Sequence, residues 1–188
     1  MRSVFVFLSD THSGHSLGLQ SPNTVLLREN EHGKLVPYKP RLGEVQRWLW
    51  RCYQQDIAAV REFAGDDPIY VVHNGDLCWG KKYQDGLWTT IAEQVQMAAD
   101  VLLAWRDIAR RMWIVMGTDA HNFGEGSAEM LVQQRVSQHI HAKVVPHALL
   151  SIDGCLIDLA HHGPASGIRQ WTAGNQARYY GRSLINRM

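Results

Sequence analysis

The stretch Ile69–Gly80, IYVVHNGDLCWG, decides the reading of the fold. Its apolar run Ile69–Val72 has the length and β-branching of a buried strand. Turn-forming residues take over at His73-Asn74-Gly75-Asp76, which puts Asp76 at or just past the strand's C-terminal end. Open α/β sheets collect ligands at those ends. Three other segments repeat the arrangement: VFVFLSDTHSG from Val4, MWIVMGTDAH from Met112 and CLIDLAHHG from Cys155. Four apolar strands running into Asp, His or Asn-like groups predict one site built from four loops, a metal site with Asp76 at its centre.

The bulk composition sets bounds. At 188 residues the chain has enough length for one domain with a real core, and 1–188 reads as a single unit without repeats, low-complexity tracts or linkers. Apolar residues at 45% and charged residues at 20% are an ordinary globular mixture. A net charge of +1 argues against a broad nucleic-acid footprint, though not against a small phosphate-containing substrate. Cys52, Cys78 and Cys155 are widely spaced and form no CxxC pair, which excludes a disulfide framework and a zinc-thiolate cluster. The sequence has no apolar run of membrane-spanning length and its N-terminus enters a strand directly, so a cytoplasmic protein without membrane contact is expected.

In chain order, Ser3–Ser9 reads as a strand delivering Asp10-Thr11-His12. VLLRE and KLVPY around Asn30-Glu31-His32-Gly33 read as a hairpin. Gly43–Ala64 is a helix with Val45, Trp48, Leu49, Cys52, Tyr53, Ile57 and Val60 inward. Thr90-Ile91-Ala92-Glu93 is a capping box opening a second helix. Its predicted stripe is Ile91, Val95, Ala98, Leu102, Trp105 and Ala109. A third helix is expected over Gly124–Ile140, with Ala128, Leu131, Val132, Val136 and Ile140 inward. Lys143–Ile152 and Cys155–Ala160 read as two strands joined by Asp153-Gly154, and the spacing of Ala177, Tyr180, Leu184 and Met188 predicts a terminal helix. The β-α-β order implies a largely parallel sheet, hence an α/β fold.

Asp10, His12, Asp76 and one of His161 and His162 offer oxygen and nitrogen donors without sulfur. That set favours Mn, Fe, Zn, Co or Ni over thiolate metals and argues against a pure Mg or Ca site. A carboxylate can bridge two ions, and two ions about 3.5–4 Å apart suit phosphoester hydrolysis by lowering the pKa of a bound water. Arg169, Arg178 and Arg182 either grip phosphate oxygens bidentately or form the solvated face of the terminal helix.

The order Asp10-Thr11-His12, Gly75-Asp76, Gly117-Thr118-Asp119-Ala120-His121, His161-His162-Gly163 resembles the calcineurin-like metallophosphoesterase family over nearly the whole chain. It is closest to a phage and prophage variant with GT-x-AH, HHGP and W-T-x-G-N segments, here Gly117–His121, His161–Pro164 and Trp171–Asn175. The resemblance implies an αββα sandwich of mixed, largely parallel sheets flanked by helices and a centre of two divalent ions, Mn²⁺ first, with Fe, Zn²⁺ or Ni²⁺ as alternatives. It implies Asp10 and His12 on the first metal, Asp76 bridging, and His161 on the second with His162 as substitute. Thr118 stands where the family has an Asn ligand. Asp119 could replace that ligand or act in catalysis, and His121 takes the place of the catalytic acid. The family's last motif, Gly-His-x-His, has no counterpart, since no His follows His162. A fold lacking that strand is expected to be marginally stable and weak in metal binding, or to be completed by a second copy or a partner.

The expected function is therefore metal-dependent hydrolysis of a phosphomonoester or phosphodiester, on a small molecule or a nucleic acid. Two alternatives stand: a non-catalytic binding or scaffold domain of the same fold, favoured by the missing motif, and a phage DNA-processing nuclease, disfavoured by the charge.

Overall fold

The computed structural model of the chain describes residues 2–123, 127–152 and 154–161. The first strand, β1 (Val4–Leu8), is followed by the hairpin β2 (Leu26–Glu29) and β3 (Leu35–Tyr38). Helix α1 (Glu44–Ala64), strand β4 (Ile69–Asn74) and helix α2 (Ile91–Leu102) come next. Strand β5 (Ala109–Val115), helix α3 (Ala128–Val136), β6 (Ala142–Val145), β7 (Ala148–Ile152) and β8 (Cys155–Leu159) complete the described elements. The chain is mixed α/β. Strands β1, β4, β5 and β6 form one parallel sheet in that order, while β7 and β8 form a separate antiparallel pair.

Alternation along the parallel strands sorts side chains onto two faces. Val4, Ile69, Val71, Met112, Ile114 and Ala142 pack with Tyr53 of α1, Ala98 of α2 and Val132 of α3 in one core. All three helices thus cover the same face. Val72 and Val115 point the other way and meet Ala148 and Leu150 of β7, with Phe5, Trp113 and Ile157 beside them. The result is helices, parallel sheet and antiparallel pair in three layers. The C-terminal helix, which would supply a fourth, falls outside the described residues, as do His162, Arg169, Arg178 and Arg182.

Several sequence expectations need correction. Lys143–Ile152 is two strands: Pro146 lacks the N–H that a ladder needs, so the chain leaves the parallel sheet at Val145 and enters the other at Ala148. The second helix stops at Leu102, a 3₁₀ turn carries Leu103–Trp105, and Ala109 already belongs to β5. Ala109 pairs with Ile69; matching the length of β4 overrides the helical spacing. Trp48 is 55% exposed and Val45 is also exposed, because α1 buries chiefly Gln46, Tyr53 and Ala64. Leu131 lies outward, and the third helix runs only to Val136, although Ile140 beyond it is buried. The Thr90 cap and the hairpin form as expected: Thr90 accepts from Glu93 N–H and Glu93 accepts from Thr90 N–H, and Leu26 pairs with Tyr38. Among the described residues no helix is long and apolar enough to cross a membrane.

Candidate metal centre

The C-terminal ends of β1, β4 and β5 lie side by side, Leu8 beside His73 and Asn74 beside Val115. Past these ends the first two loops stay paired. Asp10 N–H donates to Gly75 O, His12 N–H to Asp76 O and Ser13 N–H to Leu77 O, at 3.2, 3.1 and 2.8 Å. Within this ribbon Asp10, His12 and Asp76 have φ of 56°, 44° and 55°. They are the only non-glycine residues with positive φ among the described ones. Asp and His enter this region more readily than most residues, yet each such conformation costs on the order of 1–3 kcal/mol. The cost falls on three candidate ligands.

Two groups of donors result. His12, Asp76 and His121 each offer a ligand atom within 4.8 Å of the others, and so do Asp10, Asp76 and His161. Asp76, 3% exposed, belongs to both. The resemblance assigns Asp10 and His12 to one ion, and His12 Nε2 lies 3.5 Å from Asp10 Oδ1; each also belongs to a different group around Asp76, and His121 joins as a further donor. Asp119 is exposed and belongs to neither. Thr118 instead holds Asp76: its N–H donates to Oδ1 at 2.7 Å and its hydroxyl lies 3.4 Å from Oδ2.

The histidines are oriented from behind. His121 Nδ1 lies 2.6 Å from Trp79 O, and His161 Nδ1 bonds to Asn74 O. A carbonyl only accepts, so Nδ1 carries the proton in both rings and Nε2 is the ligand atom, the usual outer-shell pattern of metal-binding imidazoles. His161 Nε2 is 3.0 Å from Asp76 Oδ2. Two ligand atoms about 2.1 Å from one ion and at right angles would stand about 3 Å apart. His12 has a buried Nδ1 without a hydrogen-bond partner among the described residues. Burial, and then the neighbouring His121, push its pKa down, keeping the ring neutral as a ligand must be. The residues present fit a pair of divalent cations with mixed oxygen and nitrogen donors.

Two buried glutamines escaped the sequence reading. The Gln46 amide nitrogen, from α1, reaches the carbonyls of His15 and Gly18 at 3.3 and 3.2 Å. Gln94, from α2, accepts from Gly80 N–H at 2.9 Å and donates to Gly80 O at 3.0 Å. Each helix thus pins one ligand loop. Close approach does the rest: a Cβ on Gly117 would lie 2.2 Å from Asp76 Oδ1, and one on Gly75 2.7 Å from the His161 ring.

Comparison with protein-family models, with curated proteins and with solved structures returns no match.

Proposed function

We propose that the protein hydrolyses phosphoesters at a centre of two divalent ions, on the layered scaffold of a calcineurin-like metallophosphoesterase, in the cytoplasm. The observation that carries this reading is Asp76, one buried carboxylate shared by two donor groups. His12, Asp76 and His121 would hold one ion and Asp10, Asp76 and His161 the other, with Mn²⁺, Fe, Zn²⁺ or Ni²⁺ suited to these donors. Such a pair of ions supplies a water of lowered pKa and neutralises charge on the transferred phosphoryl group. The chain's own part is positioning. Thr118 N–H fixes the Asp76 carboxylate, the backbone carbonyls of Trp79 and Asn74 set the two imidazoles, and the Ser9 hydroxyl donates to Asp10.

The test is metal content by elemental analysis, with hydrolysis of bis(4-nitrophenyl) phosphate, in the wild type and Asp76→Asn. Asn tolerates the left-handed backbone that Asp76 adopts, so the substitution isolates the charge. The wild type is expected to hold up to two ions per chain and turn over, and the variant to lose most metal and at least about 10²-fold in rate. Equal metal in both proteins would overturn the bridging role. Metal bound without turnover of any phosphoester would favour the non-catalytic reading.

A further inference from the structure

A cavity of about 420 Å³ opens beside the metal centre and shares Asp10 and His12 with it. Beyond those two residues its lining changes character. Leu17, Leu19, Leu49, Cys52 and Tyr53 contribute aliphatic, thiol and aromatic surface. Trp79 joins the two regions. Its ring packs on His15 at 4.3 Å between centroids, and on the candidate ligands His12 and His121 at 5.4 and 5.1 Å. No Lys or Arg is among the described lining residues, whereas two carboxylates, Asp10 and Asp56, are. Away from the end that the ions would occupy, a polyphosphate or nucleic-acid backbone would find no basic side chain among the described lining residues to grip it, and Asp56 would repel it. An uncharged ring would find apolar walls and aromatic faces to stack on, and the volume lies in the range of small-molecule sites.

We propose that this cavity receives the uncharged aromatic part of the substrate, so that the substrate is a small aryl or similarly ring-bearing phosphoester and not a polyanion. This rests on the phosphoesterase reading for the reaction, while the cavity's preference for a ring stands on its own lining. The loop that forms one wall is held by the Gln46 amide at His15 and Gly18, so the walls come from a fixed loop and one face of α1.

The test uses the Mn²⁺-loaded protein with 1-naphthol as the probe, followed by calorimetry and Trp fluorescence. Saturable binding is expected. Leu49→Glu, which sets a charge in the wall, should weaken it at least tenfold, Cys52→Phe, which fills the space, should do the same, and Leu49→Met should bind like the wild type. Both weakened variants should keep the wild-type metal content and melting profile, and their KM for 1-naphthyl phosphate should rise in step with the loss of naphthol binding. Absence of saturable naphthol binding, or wild-type binding by folded Leu49→Glu and Cys52→Phe, overturns the proposal, even if bis(4-nitrophenyl) phosphate is hydrolysed. Naphthol binding with the expected variant pattern upholds the cavity as a ring site, even if no phosphoester is turned over and the hydrolase reading fails.

Discussion

His121 shows how one side chain's tautomer bears on its role. The family resemblance implies a catalytic acid at this position, which needs a proton to give. Its Nδ1 is committed to Trp79 O and its Nε2 faces Asp76 Oδ2 at 3.8 Å, an arrangement suited to donating a lone pair. His121→Ala is accordingly expected to lower metal content from two ions per chain to one, with turnover falling by more than about 10²-fold, the scale of a lost catalytic or metal-positioning group. Elemental analysis decides it: a variant that keeps both ions while losing rate would restore the acid role. The residue types of the site were legible because Asp10, His12, Asp76, His121 and His161 all follow apolar runs. The place of His121 among the donors around Asp76 was not, since it depends on how the loops turn, and the positive φ of Asp10, His12 and Asp76 has no sequence signature.

Helices α1 and α2 act through amides as well as through apolar stripes. Gln94→Leu would leave the N–H and C=O of Gly80 without partners in a buried setting, at about 1–3 kcal/mol for each group. A drop of several degrees in melting temperature is expected, about 2–4 °C per kcal/mol for a chain of this size, together with weaker metal binding. Gln94→Glu, which keeps one acceptor, should fall in between. If calorimetry finds Gln94→Leu as stable as the wild type, the clamp at Gly80 is dispensable. Neither glutamine could be found from the sequence, because a polar residue on a helix reads as solvent-facing and a bond to a distant backbone leaves no periodicity. The Thr90–Glu93 box and the β2–β3 hairpin were legible because their partners are local. The break at Pro146 was written in the sequence as well, but the apolar residues on either side of it, Val144-Val145 and Ala148-Leu149-Leu150, concealed the change of sheet.

Candidate donors from just past the ends of β1, β4, β5 and β8 bring both sheets to one site, so a metal held there as proposed should stabilise the entire fold. Saturation at 100 times Kd contributes about 2.7 kcal/mol for a site, a rise of about 5–11 °C. Differential scanning calorimetry with Mn²⁺ and then a chelator should show that rise and its reversal, and Asp76→Asn should show neither. Acid should act globally too. His73 is fully buried, and burial pushes its pKa down to about 3. Its folded pKa is below the unfolded value near 6.5, so the unfolded chain binds the extra proton and stability falls as pH drops from about 6.5 toward 3. Burial raises the Glu93 pKa, but hydrogen bonds from Arg28, Thr90 N–H and Tyr38 outweigh it and bring the group to about 2. Its contribution is present above about 4.5 and lost between there and 2. The melting temperature of the metal-free chain should therefore decline steadily from pH 7 to pH 4, and His73→Leu should flatten that slope. An unchanged slope in the variant would remove His73 from the explanation.

The contact of Gly117 with Asp76 has a consequence for mutational tolerance. Neither Gly75 nor Gly117 carries a functional group, yet a single methyl at either would intrude on Asp76 or His161. In a saturation library selected for metal-dependent turnover, position 117 should be as intolerant as Asp76 itself, with Gly117→Ala already lost. The exposed Asp119, two residues on, should accept most substitutions. Such a map would trace the centre by the places where bulk is forbidden, and would single out positions that a search for chemically active side chains passes over.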